Sequence, residues 1–177
     1  MHSYTPDARK KRLDGICGAS DKFEVSRAEA QGLEDPRIPL VVTCEGQILD
    51  SGMPGKDQTF EIGLEGAWIE PVHELKEQTR TYPVIFRFAH TDLTEVNVKP
   101  PSGYTPKGAP APIRLEGRFG TYLLSISADE TGYHVQRAFT LLPIHVAPEN
   151  YPELRSFLGD AHQADRSRLA FVKKASQ

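Results

Sequence analysis

Two cysteines, Cys17 and Cys44, and six histidines are the residues of this chain with the most obvious chemical reach. A thiolate nucleophile needs a base within hydrogen-bond distance and a third group that orients the base. Neither cysteine carries a local signature that would single out its histidine; Cys17 lies in GICGAS and Cys44 in VVTCEGQ. The two thiols could also pair, but two cysteines make no disulfide framework, and free, half-buried thiols are the expected state. His73-Glu74-Leu75-Lys76-Glu77 begins like the zinc motif H-E-x-x-H, with Glu77 where the second imidazole belongs. Loss of that ligand argues against a metalloprotease.

His90, His134, His145 and His162 are scattered singly and read as strand-face or helix-face residues. His134 and His145 are an odd number of positions apart, so one continuous strand would put them on opposite faces. Glu149 and Glu153 share a helix face, where carboxylates suit the positive end of the dipole. Gly63 and Gly66 lack the spacing of a phosphate loop. Trp68, Tyr82, Tyr104, Tyr122 and Tyr133 could line a sugar-binding face, although core and edge positions account for most of them. The sequence therefore assigns no catalytic, cofactor-binding or metal-ligating residue.

The elements that would position these groups are mostly strands. Gly and Pro number 14 each, which suits turns and short strands better than long helices. A net charge of −3 argues against nucleic acid, which wants a basic face. No stretch approaches the ~20 apolar residues of a membrane-spanning helix. Arg9-Lys10-Lys11-Arg12 could pass for the start of an export signal, but Leu13 to Ser20 is not apolar. The expectation is a cytoplasmic chain, or a piece of a longer exported protein with its signal elsewhere.

Residues 1–20 read as a basic tail or linker, with a helix over Ala8 to Leu13 ended by Asp14-Gly15. Residues 21–177 read as a single β domain. Alternation or β-branched runs predict strands at Phe23–Ser26, Ile38–Ile48, Thr59–Leu64, Tyr82–Ala89, Thr94–Lys99, Ile113–Glu116, Thr121–Ser127 and Tyr133–Val146. Asp50 to Lys56 is a loop, and Asp129-Glu130-Thr131-Gly132 a hairpin turn. The stretch after Pro71, VHELKEQTR, reads as a helical turn or two. Near the end, Leu154, Phe157, Leu158 and Ala161 make one apolar stripe on a helix over 151–163. Asn150 would cap it and Glu153 would complete a capping box. A closing strand follows at 168–173. About eight short strands predict a mainly β fold, an antiparallel immunoglobulin/fibronectin-like β-sandwich with one C-terminal α-helix.

Several segments fall in a familiar order: Arg80-Thr81-Tyr82-Pro83-Val84, Pro101-Ser102-Gly103-Tyr104, Ala109-Pro110, Tyr151 to Phe157, and Ala164 to Leu169. From about Arg9 to Lys173 the chain resembles the C-terminal β-sandwich region of bacterial transglutaminase-like proteins, a domain of unknown function. The resemblance implies an exported or envelope-associated parent with an upstream papain-like core. That core supplies the cysteine, histidine and aspartate, and none of them matches a position here. The chain would then be a non-catalytic accessory or interaction module. A stand-alone ligand- or glycan-binding sandwich is the alternative. Within the resembling segments, Arg80 and Arg155 are structural candidates; one would pair with Asp165 or with a backbone carbonyl where the helix docks.

Overall fold

The computed structural model describes residues 6–18, 23–33, 35, 37–49, 58–68, 72–86, 88–142 and 145–174. The expected loop over Asp50 to Lys56, together with Pro36, Pro71, Arg87 and Ile144, lies outside them. The fold is mainly β and antiparallel, with eleven strands among the described residues and a C-terminal helix. Two compact units divide it, Met1–Gly52 and Met53–Gln177. Phe23 to Ile48 therefore groups with the N-terminal segment rather than with the rest of the expected β domain.

In the first unit, helix α1 spans Pro6–Ile16, strand β1 Phe23–Gln31 and strand β2 Val41–Ile48. The expected helix end at Asp14-Gly15 is passed. The turn closes at Gly18, whose φ of 75° is the left-handed conformation that a C-terminal cap requires. β1 and β2 pair antiparallel, with a register shift between Val25 and Arg27. Cys17 is the only buried residue described in this unit, and it forms a disulfide with Cys44 on β2. This corrects the expectation of free thiols. The partners lie 27 positions apart, and only the fold brings the end of α1 to β2.

The second unit holds the core. Four strands form one sheet in the order β5-β9-β8-β7: β5 is His90–Val98, β7 Ile113–Gly117, β8 Gly120–Asp129 and β9 Gly132–Leu141. Three more, β3 (Thr59–Gly63), β6 (Tyr104–Pro106) and β11 (Arg168–Lys173), form a second sheet with β11 central. A short ladder pairs β4 (Val84–Ile85) with β10 (His145–Val146). The hairpin turn lies where expected, between β8 and β9. There Gly132 is required, because a Cβ would collide with the Val98 carbonyl.

Three expected elements differ. Among the described residues of the Tyr82–Ala89 run, only Val84–Ile85 is strand, paired with His145–Val146 of β10. The expected long strand to Val146 is found as two, β9 ending at Leu141 and β10 starting at His145, with Pro143 and Ile144 outside the described residues. The VHELKEQTR stretch is neither helix nor strand.

Helix α2 spans Tyr151–Asp165, two residues beyond its expected end. Its stripe of Leu154, Phe157, Leu158 and Ala161 is buried and continues to Ala164. Phe157 stacks on Phe139 of β9 at 6.4 Å. The capping box does not form. A 3-10 turn over Pro148–Asn150 leaves Asn150 already helical (φ −95°, ψ −6°), so its side chain cannot reach back over the first turn. Arg118 takes both groups instead, donating to Asn150 Oδ1 and pairing with Glu153.

Candidate functional site

Strand β9 turns Tyr133, Val135, Arg137, Phe139 and Leu141 inward, and all five are buried. Four belong in an apolar core. Arg137, 2% exposed, does not, and a cation there must be matched. Its partner is Asp165, the last residue of α2 and equally buried. Nε of Arg137 donates to Oδ1 at 2.7 Å, and Nη2 to Oδ2 at 3.0 Å. Asp165 sits at the negative end of the helix dipole, which disfavours a carboxylate; Arg137 offsets that. The guanidinium also lies 5.1 Å from the centre of the Trp68 ring and 5.7 Å from those of Tyr122 and Phe139, positions that favour a cation.

Two further donors complete the carboxylate. Tyr122 donates its hydroxyl to Oδ1 at 2.7 Å, and the Val72 amide donates to Oδ2 at 2.9 Å. With four donors, the acceptor capacity of Asp165 is filled. Burial, then the hydrogen bond to Asp165, pushes the Tyr122 hydroxyl well above its ordinary pKa. Trp68 Nε1 donates to the Asp165 carbonyl at 2.8 Å. The centre therefore joins β8, β9, α2 and the segments at 68 and 72.

The same face of α2 grips the irregular segment that begins at Val72. Tyr151 donates its hydroxyl to the Glu77 carbonyl at 2.7 Å, Arg155 Nε to the Leu75 carbonyl at 3.0 Å, and His162 Nδ1 to the Val72 carbonyl at 2.7 Å. Helix and segment run antiparallel. Side chains of the helix thus take main-chain carbonyls that a neighbouring strand would otherwise take, and a helix-like sequence forms neither helix nor strand.

Among the sequence candidates, Arg155 reaches the Leu75 carbonyl, Arg80 lies over the Tyr151 ring at 5.7 Å, and Asp165 takes Arg137 rather than either of them. Trp68, Tyr122 and Tyr133 are core residues, which removes them from a sugar platform; Tyr82 is exposed. Tyr133 places its hydroxyl between the carbonyls of Gly108 and Ala170, at 2.7 and 2.6 Å, and so links the four-stranded sheet to β11. His134 bridges Asn97 and Asp129 at the β8–β9 turn, at 2.7 and 3.0 Å. His90 Nε2 lies 3.4 Å from Asp92. His73, Glu74 and Glu77 are exposed, and His145 faces Ile85 across the short ladder. No cluster of three or more metal-ligating side chains occurs among the described residues, and none of their helices is long and apolar enough to cross a membrane. Sequence reasoning missed Arg137. Its signal was positional: it is the one charged residue in the inward register of an otherwise apolar strand.

Residues 64–171, well over half of the chain, match the family described as "Domain of Unknown Function with solved-structure structure" (DUF3858). A crystal structure described as "a putative protease from Parabacteroides distasonis ATCC 8503" is similar at 18% sequence identity and a TM-score of 0.48. The likeness covers 55% of this chain and 19% of that one, so the chain spans about a fifth of that protein. No curated protein matches. The matched residues run from Leu64 on the loop before Trp68 to Phe171 in β11, and so contain both the Arg137–Asp165 centre and the helix that grips Val72; by that match the chain belongs to the DUF3858 family.

Proposed function

We propose that this chain is a non-catalytic accessory domain, similar to the C-terminal domain of bacterial transglutaminase-like proteins and serving a catalytic domain elsewhere in its parent protein. The observation that supports this reading is the saturation of Asp165. The interior group best suited to acid–base chemistry already accepts four hydrogen bonds and faces an arginine. Tyr133, Tyr151 and His162 likewise hold main-chain carbonyls. These are placement roles. In the same reading the two larger sheets of the second unit form an immunoglobulin- or fibronectin-like β-sandwich. Contact between Tyr133 of one sheet and Phe171 of the other, 5.1 Å between ring centres, supports it.

An immunoblot of the source cells, fractionated into cytoplasm and envelope, tests the proposal. A band far above the 19.7 kDa of this sequence, in the envelope fraction, is the expected result. A cytoplasmic band at that mass, or peptide turnover by the purified chain, overturns it.

A further inference from the structure

The two units of the chain are held by different forces. The second closes over its own apolar core and contains neither cysteine. In the first, Leu33, Ile38, Leu40, Val41, Ile48 and Leu49 are all exposed, and Cys17 is the only buried residue described. Its strands β1 and β2 form a sheet of two, which is marginal in water without further support. On the face of this sheet that carries Cys44, the register sets Ala28 opposite Cys44 and Ala30 opposite Val42, so little apolar bulk is on offer there. The fold of the unit therefore hangs on the bond between Cys17 and Cys44. Its two ends differ in access. Cys17, just past the end of α1, is 6% exposed, whereas Cys44, in the middle of β2, keeps part of its surface in water. Thiol–disulfide exchange needs a sulfur that an incoming thiolate can reach, and Cys44 is the more reachable of the two.

We propose that the Cys17–Cys44 bond is a redox latch on the first unit, opened by a dithiol reductant that enters at Cys44. One thiolate of the reductant bonds to the Cys44 sulfur. The bond to Cys17 breaks, and its electron pair leaves on Cys17, which takes up a proton. The second thiolate of the reductant then displaces Cys44, which is protonated in turn, and the reductant is left as a disulfide. Two electrons have passed to the chain. The hairpin, no longer tied to α1, unfolds, while the second unit keeps its structure. A disulfide oxidant reverses the exchange. The latch stands on the make-up of the first unit and holds whether or not the domain is accessory to an enzyme.

The test uses the full chain without denaturant. Dithiothreitol is expected to speed amide exchange across β1 and β2 by about a hundredfold and to leave β8, β9 and α2 unchanged. Oxidised glutathione then restores the protection. The rate of reduction rises in proportion to dithiothreitol, because the reagent enters the folded chain. A brief pulse of reduced glutathione, stopped with N-ethylmaleimide and mapped by peptide mass, places glutathione on Cys44 and maleimide on Cys17. The double variant Cys17→Ser, Cys44→Ser shows the fast exchange with or without reductant. No reduction in the absence of denaturant, or a rate that levels off at an unfolding limit, overturns the proposal. So does protection of β1 and β2 that survives reduction or fails to return on oxidation, or glutathione carried by Cys17.

Discussion

Arg137 of β9 and Asp165 at the end of α2 hold each other through two parallel hydrogen bonds, 2.7 and 3.0 Å, with both side chains almost wholly removed from water. Such a pair adds little against an apolar substitute but leaves a buried charge when one partner is lost. Here the carboxylate also holds Tyr122 and Val72. Removing both charges therefore strands two donors, and an apolar replacement of the pair cannot be neutral.

Asp165→Asn is expected to lower stability by about 3–5 kcal/mol, the cost of an uncompensated buried guanidinium. Urea denaturation measures it. Arg137→Met should fall in the same range. The double variant Arg137→Met, Asp165→Leu recovers part of the loss but stays below the parent by about 1–3 kcal/mol for each orphaned donor. A double variant as stable as the parent would sink this account of the centre.

Tyr122 gives the fold an alkaline limit. Its hydroxyl ionises less readily folded than unfolded, chiefly through burial. Its contribution is then full below pH ~10, where an unfolded tyrosine is neutral, and falls as pH rises above that. Denaturation midpoints between pH 8 and 11 should show a declining limb that is shallower in Tyr122→Phe. Tyr133 is shifted in the same direction by burial, so some slope remains.

At the β8–β9 turn the acid limit has the opposite sign. The Thr131 hydroxyl and amide hold Asp129 down to about 2. Its contribution is present above the ordinary aspartate value and is lost as pH falls from about 4 through about 2. A carboxyl titration by NMR should place Asp129 there in the parent chain and nearer the ordinary value in Thr131→Val. An unmoved titration would assign the shift to His134 instead.

The first unit depends on its disulfide. A two-stranded sheet is marginal alone, and Cys17 is the only buried residue described in this unit. Closing a loop of 27 positions is worth about 3.5 kcal/mol on the chain-entropy estimate. Cys44→Ser, or reductant, should speed amide exchange across β1 and β2. Unchanged exchange would show that the hairpin holds without the link.

What the sequence displays well is what repeats. The stripe on α2 and the alternation along β8 and β9 are periodic, and all three elements form there, although β9 stops at Leu141 rather than Val146 and α2 runs on to Asp165. Cys17 finds Cys44 only after α1 and β2 have met. Arg137 was hidden by its charge, since a cation in an inward register makes sense only once Asp165 is seen behind it. The helical reading of VHELKEQTR failed because that segment's hydrogen-bond partners are side chains on a helix some 80 residues away. Asn150 lost its capping role to a 3-10 turn that local propensity did not reveal.

That last dependence makes the grip of α2 on residues 72–77 directly measurable. The segment is held at four points, by Tyr151, Arg155, His162 and Asp165. Three of its carbonyls accept from side chains rather than from a strand. Deleting one neutral bond costs about 0.5–1.5 kcal/mol, and one from a charged donor about 1.5–3 before solvent screening. Arg155 is exposed, so Arg155→Ala belongs at the low end, a modest drop in melting temperature. Local opening should respond more than global stability, because the far end of the segment keeps only Tyr151. Lys76 and Arg80 are exposed in this stretch and offer trypsin its targets. Cleavage after Lys76 or Arg80 should speed up in Arg155→Ala, more so in Tyr151→Phe, and most in the double variant. Loss of the ring hydroxyl leaves the Arg80 stacking surface in place, so faster cleavage in Tyr151→Phe reports the Glu77 bond alone. If neither variant changes the melting temperature or the cleavage rate, the Tyr151 and Arg155 bonds do not hold the segment, and its anchors are the His162 and Asp165 bonds to Val72.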